Sequence, residues 1–348
     1  MKKDSLFFCG VIALAGQAWA QTSSMTLSGS VYSGLGFNSG GSTRMTALAG
    51  ASSLMFSGKE DLGGGNSVIF KLESGFNLDT GEFASSTSFF DKQAFLGIQG
   101  DWGTFRAGRL YTPAFATLAL VADPTATYSV ITATSLMETH GVRLNNGVIY
   151  NSPGFDPWTY ARKGVFGAVA HFFGEDSQRD SRNSASGVNI GYGVGPLVVE
   201  LSHHRANQYT NQATDINVRT TLLAANYKLG SSRIHLAYSD NYGKNIASNI
   251  RTKNSIDYLL GVVFPLGKGT VFASFIKKKD RMPVDNSAYQ VGVIYDYPIS
   301  KRTKFTVGLA KINNSNSKNT YKIINGYAGT TAANAGTSAF TIGMTHRF

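Results

Sequence analysis

The sequence predicts an all-β protein, a sixteen-stranded antiparallel transmembrane β-barrel with short turns at one end and long loops at the other. Three observations predict it. The composition is that of an exported chain without transmembrane helices, apolar and polar residues alternate along many short segments, and the connections between those segments are alternately short and long.

The first twenty residues have the layout of a cleaved secretory signal. Two lysines precede an apolar stretch, residues 6–15, and the small-x-small site AWA comes directly before Gln21. The apolar stretch is shorter than the ~20 residues that a membrane-spanning helix needs. We therefore expect residues 1–20 to be removed and residues 21–348 to form one barrel domain.

The single cysteine and the overall composition narrow the class further. Cys9 follows two phenylalanines where a lipoprotein acceptor site would have small residues, so we expect no lipid anchor, and its loss with the signal leaves no disulfide. The chain has 39 glycines, 12% aromatic residues and only 15% charged residues. No uncharged apolar run outside the signal is long enough for a transmembrane helix, so this composition fits a β-barrel better than two soluble domains.

Strict alternation predicts strands with one apolar and one polar face. In residues 68–73, VIFKLE, Lys71 and Glu73 share the face opposite Val68 and Leu72, and residues 196–204, 233–238 and 303–309 show the same pattern. We expect Lys71 and Glu73 to line a water-filled interior. A soluble β-sandwich would alternate similarly, so the spacing of the strands must distinguish the two.

The spacing favours the barrel. Sixteen candidate strands, an even number, have lengths near the ~10 residues that cross a bilayer at a tilt. They are residues 25–37, 50–59, 66–77, 88–99, 103–110, 142–151, 163–173, 186–193, 196–205, 217–229, 232–242, 254–264, 269–278, 286–297, 303–313 and 338–348.

The connections sort into two groups, as in outer-membrane barrels. Tight links such as GDWG, GVG and LGSS follow even-numbered strands, and long polar stretches such as SQRDSRNSASG follow odd-numbered ones. Residues 151–162 break this pattern, because a long link stands where a tight turn is due. Either the flanking strands are longer than predicted or the link contains an insertion.

Three blocks of sequence and the last strand resemble a known family. The blocks are SSLMFSGKEDLGGGNSVIFKLESGFNLDTGEF (52–83), FFDKQAFLGIQGDWGTFRAGRLYTP (89–113) and GVRLNNGVIYNSP (141–153). They are similar to the general porins of Gram-negative bacteria, particularly the β-proteobacterial branch. Between residues 154 and 337 the resemblance is only architectural.

The last strand, TIGMTHRF, resembles the family's recognition signal for the barrel-assembly machinery. The resemblance implies that Gly343, His346 and Phe348 belong to that signal, with His346 where an aromatic or aliphatic residue is usual. Alternation places Phe348 on the apolar face. A closed barrel pairs this strand with the first one, and the terminal ring is expected at the membrane–water interface.

The resemblance implies a homotrimeric, water-filled pore for small hydrophilic solutes, narrowed by a third extracellular loop that folds into the lumen. Here residues 112–140 have the position of that loop. The basic residues that the family places on the pore wall map onto Lys92 and Arg143, with Arg109 near the start of the loop, whereas Ser53 stands where the family has an arginine.

Alternation supports an inward position for only some of these cations. Arg143 and Arg106 each lie between apolar neighbours on the opposite face, whereas Lys92 has apolar residues on both faces around it. Strict alternation points Arg109 outward, so its inward placement needs a β-bulge or an early strand end.

The balance of charge predicts a mild preference for anions. The loop has few acids, Asp123 within it and Glu138 near its end, and loss of the signal lowers the formal charge by one, to +10. A basic wall facing one or two carboxylates attracts anions.

The predicted function is passive diffusion of ions and small polar solutes through the outer membrane, with a channel selective for organic anions as the alternative. A barrel enzyme and an adhesin with a plugged lumen are further alternatives. The residues show no HExxH, CxxC or GxSxG motif, so we expect no cofactor and no catalytic site.

The expected partners are other copies of the chain, outer-membrane lipids and the barrel-assembly machinery, with no nucleic acid. Lys277, Lys278, Lys279 and Arg281 lie at a predicted outer end. We interpret this run as an exposed surface that is solvated or binds lipopolysaccharide phosphates.

Overall fold

A computed structural model describes residues 23–40, 43–45, 51–127, 129–156, 158, 162–176, 179, 181–211, 214–316, 320–323 and 336–348. The predicted signal, residues 1–20, lies outside this part of the chain, so its removal stays a prediction. Among the described residues, no helix combines the length and the apolar character needed to cross a membrane.

The described residues form one antiparallel sheet of sixteen long strands and one short strand, β2. The strands are β1 (Ser23–Asn38), β2 (Thr43–Met45), β3 (Ser52–Gly63), β4 (Asn66–Phe76), β5 (Gln93–Gly100), β6 (Gly103–Tyr111), β7 (Arg143–Asn151), β8 (Gly164–Phe172), β9 (Ala185–Val194), β10 (Leu197–Gln208), β11 (Ile216–Leu229), β12 (Ser232–Asn245), β13 (Arg251–Leu266), β14 (Gly269–Asp280), β15 (Ala288–Pro298), β16 (Thr303–Asn314) and β17 (Ser338–Arg347).

The sheet closes on itself through its first and last long strands. β1 pairs with β17, with Ser30 opposite Arg347 and Asn38 opposite Ala339, and its N-terminal half pairs with β3. Each remaining long strand pairs with the next along the chain. Closure leaves no sheet edge, which a membrane-spanning sheet requires because unpaired backbone groups in hydrocarbon cost several kcal/mol each.

The strand prediction is confirmed, since each predicted segment overlaps one long strand. The largest offset is at β5, predicted to start at residue 88 and observed to start at Gln93. Ahead of it, the side chain of Asp91 accepts a hydrogen bond of 2.6 Å from the backbone of Gly75, and Phe89 packs edge-on against Phe83 at 4.7 Å. These contacts hold the preceding residues in a loop.

The long link after the sixth predicted strand is an insertion. β7 ends at Asn151 and β8 begins at Gly164, close to the predicted ends, so residues 152–163 are extra chain at the short-turn end. The other turns at that end are tight, as predicted. We call residues 152–163 the β7–β8 insertion.

The two faces of the barrel differ as the alternation predicts. On β10, Leu201 is 45% exposed on the outside, whereas Glu200, Ser202 and His204 are buried inside. Large apolar side chains are exposed in the same way on the outer face of most strands. A band of exposed apolar residues around a closed sheet is the surface that meets lipid.

The C-terminal residue completes the seam between β17 and β1. Phe348 and Gly29 exchange two backbone hydrogen bonds of 3.1 and 3.2 Å. The ring of Phe348 lies over Gly29, where a Cβ atom would come within 2.7 Å of the ring and 2.2 Å of the Ser53 carbonyl. On the inner face, Gly343 leaves room in the same way for the hydroxyl of Tyr32.

The connection from β6 to β7, residues 112–142, lies inside the barrel, and we call it loop 3. It contains helix α1 (Pro113–Thr117), a π-helical turn (Leu118–Ala122) and a 3₁₀ turn (Ala133–Ser135). Thr112 caps α1, because its hydroxyl accepts a hydrogen bond of 3.2 Å from the backbone of Phe115, and proline occupies the first helical position.

Loop 3 and part of the inner wall form an apolar core. Its loop members include Leu118, Val121, Val130, Ile131 and Leu136, each at most 1% exposed. They pack against inward-facing apolar side chains of β8 and β10 to β17, among them Phe166, Val198, Leu222, Ala224, Leu259, Ile276, Ile294 and Ile312. One side of the interior is therefore densely packed, and we call the remaining space between loop 3 and the wall the passage.

Candidate functional site

Polar side chains of the wall hold the middle of loop 3 in place. Asn226 on β11 and His235 on β12 donate to the carbonyl of Val121 at 3.3 and 2.9 Å. Further along the loop, Ser274 donates to the carbonyl of Ile131 at 3.3 Å, and Gln290 donates to that of Thr132 at 3.2 Å. These bonds satisfy loop carbonyls that would otherwise be buried without partners.

Asp123 stabilises the loop from within. Its carboxylate accepts hydrogen bonds of 2.7 Å from the backbone and the hydroxyl of Thr125, and one of 2.6 Å from the backbone of Ala133. The residue is only 2% exposed, and burial raises the pKa of its carboxyl against the effect of these bonds. The structure therefore places this acid inside loop 3 rather than on its water-facing side.

An ion-pair cluster fixes the end of loop 3 to β13 and β14. Glu138 is bonded to Lys253 and lies 3.8 Å from the ammonium of Lys278, which also donates to Asp257 at 2.7 Å. The side chains of Lys278 and Asp257 are 1% and 0% exposed. Burial raises the pKa of Glu138, but the two lysines and His140 outweigh it, so the net shift is downward.

The burial of Lys278 corrects the interpretation that the whole basic run at the predicted outer end is an exposed surface. Lys277 and Lys279 are exposed on the outer face, as expected, but Lys278 points inward to the ion-pair cluster. Alternation along β14 separates the middle lysine from its neighbours, because successive side chains point to opposite faces.

A second buried cluster fixes the start of loop 3 to β9 and β10. Glu200 accepts hydrogen bonds from the hydroxyl of Thr117 at 2.5 Å and from the amide of Asn189 at 2.7 Å. Arg162, in the β7–β8 insertion, lies 3.3 Å from the same carboxylate, and the two side chains are 2% and 0% exposed. Loop 3, the wall and the insertion therefore meet at one carboxylate.

The passage contains a chamber of about 410 Å³. Its wall side carries Ser30, Ser53, Glu73, Lys92, Asp296, Lys304, Thr306, Thr345 and Arg347. Its loop side is formed by Leu120, Pro124, Thr125, Ala126 and Ser129, with Trp158 of the insertion beside them. The loop side of the chamber thus presents apolar groups and hydroxyls, while the charges stand on the wall.

Two of the predicted wall residues form an ion pair at this chamber. The ammonium of Lys92 lies 3.9 Å from the carboxylate of Glu73 and donates to the carbonyl of Ser52 at 3.3 Å. Glu73 also accepts a hydrogen bond of 3.2 Å from Gln93. Ser53 lines the same chamber.

Arg109 and Arg143 both interact with Asp91, a residue that is not among the site residues predicted from the sequence. Arg143 lies 4.0 Å from its carboxylate and over the ring of Tyr111 at 5.4 Å. Arg109 donates to the Asp91 carbonyl at 2.7 Å and to the side chain of Asn145. The register shifts between Gly108 and Leu110. The bulge that an inward Arg109 required is therefore present.

Arg106 and Lys71 lie apart from this group, near the insertion. Arg106 is 8% exposed, points inward, donates to Asn151 at 2.7 Å and lies over the ring of Phe95 at 5.3 Å. Asp156 of the insertion interacts electrostatically with both cations. The predicted wall residues thus lie around three carboxylates, Glu73, Asp91 and Asp156. Lys71 interacts with both Glu73 and Asp156, and Lys92 with both Glu73 and Asp91.

Several charged residues of the interior were missed by the sequence analysis. Alternation alone places Glu200, Lys278 and Arg347 on inward faces, so the signal to find them was present. By contrast, Arg162 and Trp158 lie in an insertion without periodicity, and nothing in the sequence indicates that they reach the interior.

The histidine of the loop cluster is expected to make the stability of the fold depend on pH. The pKa of His140 is lowered from 6.5 to about 4 by burial, with Lys253 and Lys278 adding to the effect and Glu138, 3.6 Å away, opposing it. His204 of the wall also faces this ring. Between these pKa values the unfolded chain binds more protons than the folded one, so stability falls as pH falls through that window.

We therefore expect the urea midpoint to decrease between pH 6.5 and 4 more steeply in the wild type than in a His140→Gln variant. The variant removes this titration and leaves the other ionisable groups in place, so the difference between the two pH profiles reports His140. Parallel profiles would contradict the assignment.

Comparison with known proteins gives the family. The sequence model of the Gram-negative porin family matches residues 9–317. The chain is 28% identical to outer membrane porin protein 32 of Delftia acidovorans, over 99% of this chain and all of that one. It is 26% identical to an outer membrane porin of Bordetella pertussis, over 87% of this chain and 92% of the other.

The fold is also shared with solved structures. An anion-selective porin from Comamonas acidovorans superposes with a TM-score of 0.73 at 23% identity, covering 94% of this chain and all of that one. The trimer form of OmpT from Vibrio cholerae gives a TM-score of 0.71 at 13% identity, covering 94% and 99% of the two chains. The closed sixteen-stranded barrel, its internal loop and the family match together establish that this chain belongs to the Gram-negative porins.

Proposed function

We propose that the protein is a passive diffusion channel of the bacterial outer membrane that prefers anions. The observation that carries this proposal is the distribution of charge around the chamber. Among the described residues that line the chamber, the wall has three cations, Lys92, Lys304 and Arg347, and two acids, while the loop side contributes no charged residue.

The two acids of the chamber are engaged by neighbours. Glu73 is 3.9 Å from Lys92, and Asp296 accepts a hydrogen bond of 2.5 Å from Thr306 and is bonded to Lys304. An ion in the passage therefore meets a field with an excess of positive charge, strengthened by the low-dielectric walls. The structurally similar porin from Comamonas acidovorans is anion-selective, which supports the same direction for this chain.

The test is the reversal potential across a planar bilayer with a KCl gradient. We expect a potential of the sign that chloride preference gives, and a smaller one for an Arg347→Gln variant. Arg205→Gln is the matched control, because Arg205 is exposed on the outer face of β10. Cation preference of the wild type would contradict the proposal, and a silent bilayer would favour a plugged barrel instead.

The proposal extends to the individual site residues and to the secretory signal. We infer that Lys71, Glu73, Lys92, Arg106, Arg109 and Arg143 act on permeating ions, that Asp123 acts through the shape of loop 3, and that residues 1–20 are cleaved. We also infer that the chain performs no catalysis, which esterase and protease assays on the purified protein would check.

For partners we propose a homotrimer, assembly through the signal in the last strand and binding of lipopolysaccharide phosphates on the outer face. Arg205 and Arg219 lie directly opposite each other there, both exposed. Like charges in that position repel, and an anionic headgroup between them would relieve the repulsion. Lipopolysaccharide binding by an Arg205→Gln/Arg219→Gln variant and the mass of the detergent-solubilised particle check these two proposals.

A further inference from the structure

The described part of the β7–β8 insertion, residues 152–156, 158, 162 and 163, turns into the barrel from the short-turn end. Phe155 is 6% exposed and packs at 4.8 Å against Phe166, an inward-facing residue of β8. The guanidinium of Arg162 lies over both rings, at 5.5 and 5.6 Å. These contacts are made inside the barrel, so the described part of the insertion is folded inward rather than into the periplasm.

Two contacts join the insertion to loop 3. The indole of Trp158 packs at 4.5 Å against the ring of Tyr111, with 60° between the planes, directly before loop 3 begins. Arg162 reaches Glu200, which also binds Thr117 of α1. The insertion and the loop therefore form one packed unit, although they enter the barrel from opposite ends.

Trp158 extends from this unit to the passage. Its backbone donates to the carboxylate of Asp156 at 3.0 Å, which fixes the turn, and the partly buried side chain lines the chamber. Beside it on the same lining are apolar side chains from loop 3 and from β14 and β15, namely Leu120, Pro124, Phe272 and Ile294. The same chamber is also lined by Lys92, Lys304 and Arg347.

We propose that the β7–β8 insertion is a second constricting element of the channel, and that Trp158 selects for anions with an apolar or aromatic body over polyhydroxylated anions of the same charge. This inference rests on the proposed anion channel and names a class of solute for it. A solute with a carboxylate and an apolar body would contact the cations and the apolar side chains of the chamber at the same time.

The physical basis of this selectivity is that cationic and apolar side chains line the same small chamber. The chamber volume of about 410 Å³ is within the range of small-molecule sites, where apolar contacts supply most of the affinity and a few polar groups set orientation. An apolar body is stabilised when it leaves water for an apolar lining, and a hydroxylated body gains much less in the same way. The cations attract both classes of anion equally.

The experiment compares benzoate and gluconate, both monovalent, in planar bilayers containing the wild type and three variants. Trp158→Ala removes the ring, Trp158→Phe keeps an aromatic one, and Trp102→Ala is the matched control. Trp102 is 43% exposed in the β5–β6 turn, where its indole donates to Asn66 at 2.9 Å, away from the chamber lining.

We expect Trp158→Ala to increase the KCl conductance and to lower the benzoate-to-gluconate permeability ratio several-fold. Trp158→Phe should retain most of that ratio, and Trp102→Ala should leave both quantities unchanged. Wild-type values in Trp158→Ala, or equal changes in both alanine variants, would overturn the inference. Failure of the anion channel itself would be visible separately, as an absence of chloride preference in the wild type.

Discussion

Replacing Lys278 by methionine is expected to lower the free energy of unfolding by about 3–5 kcal/mol, the usual cost of removing one partner of a buried ion pair. The substitution keeps the length of the side chain and removes its charge. Asp257, whose side chain is fully buried, then keeps its hydrogen bonds from Ser239 and Asn241 but loses the ammonium at 2.7 Å. Equilibrium unfolding in urea, followed by tryptophan fluorescence in detergent or lipid, measures the change.

The two neighbouring lysines provide matched controls. Lys277→Met and Lys279→Met make the same chemical change on the exposed face of β14, where a single charge contributes about 0–1 kcal/mol. A Lys278→Met/Asp257→Asn double variant should recover much of the loss, because it removes both charges. Equal stabilities for the three single variants would contradict the buried ion-pair cluster.

Replacing Glu200 by glutamine is expected to have an effect of similar size, about 3–5 kcal/mol, because it removes a buried carboxylate from Arg162 while preserving its shape. The change should also be visible in conduction. Glu200 joins α1 of loop 3 to the insertion, so its loss should increase current noise or widen the spread of conductance levels in a bilayer.

A double variant tests whether the loss of stability comes from the unpaired buried charge or from a changed shape of the cluster. Glu200→Gln/Arg162→Met removes both charges and should be more stable than Glu200→Gln alone. The matched control is Glu175→Gln, because Glu175 is exposed and lies outside the strands of the wall. A wild-type unfolding midpoint in Glu200→Gln would show that the carboxylate does not hold the loop.

The strands were predictable because the membrane imposes a strict pattern on them. Alternation and turn spacing gave all sixteen long strands, and the same alternation explains why Lys278 is buried between two exposed lysines. The bulge at Gly108 could not be predicted directly, because a local shift of register leaves no periodic pattern in the sequence. The sequence indicated only that an inward Arg109 would need a bulge or an early strand end.

The inside of the barrel was less predictable, because it depends on contacts between distant segments. The sequence showed two acids near loop 3 but not that Asp123 bonds within the loop or that Glu138 binds the wall. Trp158 and Arg162 reach the interior through tertiary contacts of an aperiodic insertion. The family resemblance indicated the internal loop but gave no indication of a second inward segment.

The most direct test concerns the division of the interior into a dry and a wet side. Four single-cysteine variants, made without the signal that carries Cys9, form two matched pairs. Ser30→Cys and Ala51→Cys place the thiol on the chamber lining, whereas Ser274→Cys and Ala224→Cys place it beneath loop 3.

A negatively charged methanethiosulfonate reagent, added to the folded protein in a bilayer, reports which thiols meet water. The first pair should react rapidly and lose conductance, while the second pair should react only after unfolding, because Ala224 is 0% exposed and Ser274 is bonded to the loop. Equal reaction rates in the two pairs of folded variants would contradict the packing of loop 3 against the wall.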